Sequence, residues 1–395
     1  MKTNNIRSKA FLLSANMLLL FLFHGTALPA TLQEKYKPVK IAEKVKPAGS
    51  SVAWSRDNRF IAFPDDGLNI YDTTTGSSKK IDMATAYHVI WADDNVLFVL
   101  YKKGADKKLC AADIKRLKCE DIPINKAPEA VFPIMDSKKL LVVSAQLKTA
   151  SLWSDVYYEL SIHDLASDLT RTIYRADRTL LTKNPSIDFL SGWISMGVSP
   201  YDTTFLTMEY VKPPIFPPHL KIGVVDYMTG KTKNIGQAPH NKFSVQGSWS
   251  PDGRRFAFPD QKGRLTIMNI AGESITPDKE VAGRHPSWNP VGSQIFIGGH
   301  IIDADGSRKV ELAPKGADTK AYWSPDGTKM ALLIDESLWL LDGFKPSIIS
   351  PDRLPDKNLL KKLLLLKELF TDKLISEEDY DSRYMKLLEK DGQAK

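Results

Sequence analysis

Apolar and polar residues alternate with period two through short stretches along most of the chain, and a turn signal precedes each stretch. Ile61 and Phe63, Phe98 and Leu100, Leu140 and Val142, Phe256 and Phe258, Ile295 and Ile297, and Met330 and Leu332 each put two apolar side chains on one face of an extended segment. Each pair follows an anchor by seven and nine positions. The clearest anchors are Trp54-Ser55-Arg56-Asp57-Asn58, Trp249-Ser250-Pro251-Asp252-Gly253 and Trp323-Ser324-Pro325-Asp326-Gly327. Weaker copies are Trp91-Ala92-Asp93-Asp94-Asn95 and Trp288-Asn289-Pro290-Val291-Gly292, and degenerate ones start at Pro133 and Val198. In the Val198 copy the second apolar place is Thr207, which makes that module the weakest.

A second signal recurs downstream of each anchor. A strand ends in Asp or Asn and a glycine-containing turn follows: Asp72 to Gly76, Asp226 to Gly230, Asn269 to Gly272 and Asp303 to Gly306. Asp113 and Asp164 hold the same place without glycine. Asp and Asn cap their own turns and Gly supplies positive φ. Each module therefore reads as four short strands, and radial repetition of such units is a β-propeller. One blade cannot bury both faces, so its neighbours must, and ring closure removes the free edges. The anchor tryptophans are read as core residues between blades. Anchors at 54, 91, 133, 198, 249, 288 and 323 give an all-β, seven-bladed propeller, with six or eight left open by the two degenerate anchors. Lys40 to Val45 is placed to supply an outer strand that closes the ring.

The Trp-Ser-Pro-Asp-Gly turns and the Asp303-Ala304-Asp305-Gly306 hairpin resemble the TolB-type propeller repeat, an exported bacterial relative of WD40 repeats. The resemblance covers roughly residues 40 to 350 and implies an interaction propeller. It departs from that family at the start: no α/β domain precedes the blades, so the part through which the family engages its inner-membrane partner has no counterpart.

The ends of the chain differ from the repeats. Lys2, Arg7 and Lys9 precede an apolar run from Ala10 to Phe23, and small residues follow at Ala27 and Ala30. That order is a secretory signal over residues 1–30, cleaved after Ala27 or Ala30, and the run is too short for a bilayer span. The first cysteine is Cys110, so a lipoprotein anchor is not expected. Residues 31–350 form the propeller. Residues 351–395 read as a two-helix module: Leu359 to Phe370 is leucine-rich, and Ser376-Glu377-Glu378-Asp379 has the form of a helix N-cap with an acid three residues on. This segment resembles the short helical (SHOCT-like) module at the C-termini of many bacterial proteins, and the resemblance implies self-association.

Charge changes the picture little. The formal +7 falls to +4 once the three basic residues of the signal are removed, and no dense Lys/Arg stripe appears, so nucleic acid is not expected as a partner. Cys110 and Cys119 flank one terminal hairpin; centred between Ile114 and Lys115, they would stand directly opposite, within disulfide reach in an oxidising compartment.

Chemistry-bearing motifs are scarce. Gly192-Trp193-Ile194-Ser195-Met196-Gly197 is one residue too long for a nucleophile elbow, His-Glu-x-x-His is missing, and the histidines are scattered singly. Asp303-x-Asp305-Gly306 lacks the further acids of a calcium loop and reads as a hairpin turn. No metal, cofactor or catalytic residue is therefore assigned. Geometry singles out another feature. The tight turns all fall on one propeller face, and excess length falls on the other: anchors 133 and 198 are 65 residues apart and the next pair 51, against 35 to 42 elsewhere. The excess lies in Ser144–Val156, Arg175–Trp193 and Glu209–His219, read as loops of blades three and four. Trp153, Arg175, Arg178, Phe189, Trp193, Lys212, Phe216 and His219 lie there, and aromatic residues with arginine are what binding surfaces use. The plain alternative is that these aromatics pin long loops to the blades. The reading is a non-enzymatic exported propeller that binds a protein or cell-envelope partner. The rival is a periplasmic hydrolase or lyase with its site in the axial channel.

Overall fold

The computed structural model describes residues 35–45, 52–124, 127–134, 138–149, 154–180, 197–199, 203–211, 219–239, 247–260, 262–277, 281–292, 294–306 and 308–345, with isolated positions between 365 and 386. The expected signal segment lies outside the described residues, as does most of the expected helical tail. Within that tail, Asp379 N donates to Ser376 Oγ at 3.1 Å, the bond an N-cap makes.

The strands form seven antiparallel sheets, one per blade. β1 (Val39–Ala42) comes first and is set aside for the last blade. Blade one holds β2 (Ala53–Trp54), β3 (Phe60–Pro64), β4 (Leu68–Asp72) and β5 (Ser77–Ile81); blade two holds β6 (Ala86–Trp91), β7 (Val96–Lys103), β8 (Asp106–Asp113) and β9 (Lys118–Ile122). Blade three is β10 (Pro128–Ile134), β11 (Lys139–Thr149), β12 (Ser154–Asp164) and β13 (Leu169–Leu180). Blade four is β14 (Thr204–Val211), β15 (His219–Asp226) and β16 (Thr232–Pro239), with a Val198–Phe205 bridge in the innermost place. Blade five is β17 (Ser248–Trp249), β18 (Arg255–Pro259), β19 (Leu265–Asn269) and β20 (Ser274–Ile275), and blade six is β21 (Ser287–Trp288), β22 (Gln294–Ile297), β23 (His300–Asp303) and β24 (Lys309–Glu311). Blade seven takes β25 (Thr319–Trp323), β26 (Lys329–Ile334) and β27 (Ser337–Asp342), and β1 pairs with β27 as its outermost strand. The strand expected at Lys40 thus closes the ring.

Turn chemistry explains why the strands begin and end where they do. In the first-face turns Ser250 Oγ and Ser324 Oγ donate to Asp252 and Asp326 at 2.5 and 2.6 Å, and the same serine oxygens accept the N–H of Arg255 and Lys329. Asn58 takes the left-handed backbone of the third such turn at φ 61, where Gly253 and Gly327 stand in the other two. At the outer turns one carboxylate oxygen accepts two successive backbone N–H groups, as Asp72 does from Thr74 and Thr75 and Asp164 from Ala166 and Ser167. Where glycine is missing from this turn, Leu117 and Asp168 carry the positive φ themselves, at 52 and 57.

The buried core is divided into layers between neighbouring blades. Trp54, Ile61 and Phe63 pack with Ala331, Leu333 and Leu338 across the closure, and Trp323 and Met330 pack with Phe296 and Ile301 of blade six. Each of the five anchor tryptophans is buried toward the preceding blade. At about 25 cal/mol per Å² of apolar surface removed from water, these layers are the main source of stability.

One anchor departs from the common register, and one register expectation needs correction. Trp91 pairs with the residue six positions on, Leu97, where Trp54 and Trp249 pair seven positions on, because the Ala92–Asn95 turn is one residue shorter than its relatives. Cys110 pairs with Asp121 and Cys119 with Ala112, so the cysteines are diagonal neighbours and not opposite. The hairpin centres between Lys115 and Arg116, and the Cα atoms, 5.8 Å apart, still carry the Cys110–Cys119 disulfide.

Candidate functional site

The tight turns leave the first face flat, and the second carries longer hairpins in blades two to four, longest in blade three. Strands β11, β12 and β13 run for 11, 11 and 12 residues, β14, β15 and β16 for 8 each, and β7 and β8 of blade two for 8 each, whereas blades five to seven use strands of 2 to 6. Much of the sequence expected as loop is therefore hairpin. The ladder continues through Lys148↔Asp155 and Thr149↔Ser154, through Arg175↔Glu159 and Arg178↔Val156, and through Val211↔His219. Extending the ladder satisfies backbone groups that a wandering loop would leave to solvent.

Arg175 and Arg178 thus share β13, the outer strand of blade three, and His219 opens β15 at the tip of the blade-four hairpin. Arg175 is exposed opposite Glu159, whose carboxylate accepts hydrogen bonds from Ser161 and Thr172. Trp153, Phe189, Trp193, Lys212 and Phe216 lie outside the described residues.

The innermost strands are the second feature. The residue before each anchor is half-buried while the one before that is buried: Ala53 after Val52, Ile90 after Val89, Phe132 after Val131, Ser248 after Gly247, Ser287 after Pro286 and Tyr322 after Ala321. This alternation puts the first member of each pair on the strand face opposite the anchor, and Ala53, Ile90, Phe132 and Tyr322 pack there into the layer shared with the following blade. Gly197 is the exception, because Phe132 leans over it: a Cβ there would meet the ring at 2.9 Å. Three residues ahead of their anchors stand the half-buried His88, His285 and Lys320.

Burial shapes the electrostatics of these inner strands. His88 donates from Nε2 to Val131 O at 3.2 Å and packs edge-on to Phe132, and desolvation lowers its pKa. His285 is lowered further, to about 3, by burial first and then by the positive charges of Lys320 and Arg284. The Tyr322 phenol is pushed well above its usual range by burial, with Asp318 adding to the rise. Next to blade two on the same side, Tyr101 donates to Asp121 Oδ1 at 2.6 Å, and Lys107 pairs with Glu129. Burial and the Asp121 carboxylate raise the Tyr101 pKa to about 12. Among the described residues, no group of three His, Cys, Asp or Glu side chains is arranged to hold a metal ion, and no helix is long and apolar enough to cross a membrane.

No protein-family model matches the chain, and no curated protein does. Among solved structures it is similar to oligogalacturonate lyase from Vibrio parahaemolyticus, with a TM-score of 0.53 and 10% sequence identity over 77% of this chain and 93% of that one. At that identity the likeness is one of fold alone.

Proposed function

We propose that this protein is an exported, TolB-like propeller that acts without catalysis, holding a protein or cell-envelope partner on the face carrying the elongated hairpins of blades three and four. The observation that supports the reading is the strand length of blade three, the longest in the ring, beside the 8-residue strands of blade four. A hairpin that outgrows its neighbours adds nothing to the inter-blade layers but enlarges the surface a partner can meet. The disulfide fits an oxidising compartment, as the signal-like N-terminus implies. In this reading the C-terminal helices associate with a second copy.

The test compares capture from envelope extract by the full chain, by a chain lacking residues 356–395, and by the Trp153→Ala, Trp193→Ala, Phe216→Ala triple variant. Loss of one defined partner in the triple variant, with thermal unfolding unchanged, is the expected result. Retention of every partner overturns the assignment to this face. An unchanged assembly mass after removal of 356–395 overturns self-association through the tail.

A second reading, an enzyme of lyase or hydrolase type working in the channel, draws on the polar inner-strand residues His88, His285 and Lys320. The fold neighbour is itself a lyase. Turnover of oligogalacturonate by the purified full chain, lost in His88→Gln, would favour that reading over the scaffold.

A further inference from the structure

Three outer turns of the first face carry exposed apolar side chains. Among the described residues of the blades, four large apolar side chains are exposed, and three of them stand at these turns: Leu117 at 41%, Leu169 at 71% and Ile270 at 44%. Leu117 follows the turn aspartate Asp113 by four positions, the place held by Gly76 after Asp72 and by Gly230 after Asp226. It takes the left-handed backbone of those glycines, at φ 52. A bulky side chain is rare in that region, and an exposed leucine gains no burial within the chain to offset the strain.

The Leu117 turn is built rigidly. Asp113 Oδ1 accepts the backbone N–H of Lys115 and Arg116 at 2.8 and 3.1 Å, and Asp113 pairs with Lys118 in the ladder. The disulfide joins Cys110 to Cys119, two residues beyond Leu117, and ties together the strands that carry the tip. Carboxylates of neighbouring outer turns are likewise turned inward: Asp164 accepts from Ala166 and Ser167, and Asp226 from Met228 and Thr229. Asp168, 3.7 Å from His163 Nε2, is an exposed exception. Basic side chains project instead. Lys115 and Arg116 precede Leu117, Lys118 follows it, and all three are exposed. Arg116 lies 3.6 Å from Asp113 and Lys118 lies 3.7 Å from Glu120, open pairs that leave both cations in contact with solvent. Ile270 N donates to Arg254 O and Leu165 N to Lys138 O, each at 3.1 Å, so the exposed Arg254 and Lys138 border the other two turns.

Short turns keep this face level, and apolar side chains rise from it singly among cations instead of lining a groove. That arrangement suits a broad, negatively charged, deformable surface. We propose that the first face rests on an anionic phospholipid surface, with Leu117, Leu169 and Ile270 entering the headgroup region and Lys115, Lys138 and Arg254 meeting lipid phosphates. The elongated hairpins then point away from the membrane. This contact is separate from the hairpin face of blades three and four and stands whichever partner that face holds.

The experiment cosediments the exported chain with vesicles of phosphatidylcholine alone and of phosphatidylcholine mixed equally with phosphatidylglycerol, at low and high salt. Binding to the mixed vesicles only, weakened by salt, is expected. Leu117→Gly should weaken it about tenfold, the loss of one inserted leucine, and Leu169→Ser by a similar factor. Leu117→Gly should unfold at a temperature no lower than wild type, since glycine adopts φ 52 without strain, so its weaker binding is not a damaged fold. Lys115→Gln with Arg254→Gln should abolish the preference for the anionic vesicles. No sedimentation with either vesicle, equal sedimentation with both, or full binding retained in the leucine variants (the result if the C-terminal leucines meet the lipid instead) overturns the proposal.

Discussion

The indole Nε1 of Trp54 donates to the carbonyl oxygen of Tyr322 at 2.8 Å, joining the first blade to the last across 268 residues of sequence. The bond belongs to a series: Trp91 donates to Ala53 O, Trp249 to Gly197 O and Trp323 to Ser287 O. In each, the acceptor is the residue just before the neighbouring blade's anchor. Trp288 breaks the series by donating to Gly292 O of its own turn, and its backbone N–H reaches Ser248 Oγ instead.

Trp54→Phe keeps the aromatic packing and removes only the closure bond. It should lower the unfolding free energy by about 1–2 kcal/mol, against about 3–5 kcal/mol for Trp54→Ala. Urea unfolding followed by circular dichroism reads the difference. Equal losses in the two variants would show that the hydrogen bond contributes nothing beyond packing.

Asp72 is held by Arg59 at 2.7 and 3.1 Å and by the N–H groups of Thr74 and Thr75. The Arg59 hydrogen bond comes first among the causes that draw its pKa from 3.8 to about 2. A folded pKa below the unfolded one gives stability that is present above pH 4 and lost as pH falls toward 2. Asp72→Asn should therefore be less stable than wild type at pH 7, by about 1–2 kcal/mol. The gap should close by about pH 2, as measured by denaturant midpoints across that range.

His285 follows the same linkage with a different charge, since the form the fold keeps is the neutral ring. Its folded pKa of about 3 lies below the ordinary 6.5, so below pH 6.5 the unfolded chain gains a proton the folded one refuses. Stability should fall by up to about 1.4 kcal/mol per pH unit from this one group as pH drops from 6.5 toward 5. His285→Gln should flatten that slope; a slope identical to wild type would place the acid sensitivity elsewhere. His88, lowered by burial, acts in the same direction.

The disulfide closes a loop with a sequence separation of 9, on the two outer strands of blade two. Cys110→Ser with Cys119→Ser should cost about 2–3 kcal/mol by freeing the unfolded chain. Reductant should lower the unfolding midpoint of the wild type and leave the double variant unmoved.

Local chemistry made the blades legible before any coordinates. Ser250, Asp252 and Gly253 form a turn because of side-chain hydrogen bonds made within five residues, and that kind of cause is written in consecutive letters. Trp91 and its one-residue slip show the limit: pattern spacing fixes the strand but not the length of the turn between strands. Module spacing marks the blade-three segments only as excess length, whereas Val156, Tyr157 and Tyr158 are ordinary strand formers that carry the hairpin onward. The bond from His88 to Val131 O joins two blades, and a contact of that kind has no trace in consecutive letters.

The pairing of β1 with β27 has a kinetic consequence. Val39 meets Leu340 in that ladder, so the first strand to leave the ribosome finds its hydrogen-bonding partner only after some three hundred further residues have appeared. Until then the nascent chain carries raw sheet edges at both ends of an incomplete ring, and intermediates of that kind are prone to aggregate. The final blade therefore acts as a checkpoint on the whole polypeptide, and a chain interrupted before β27 would be recognisable to proteases by the strand it left unclasped.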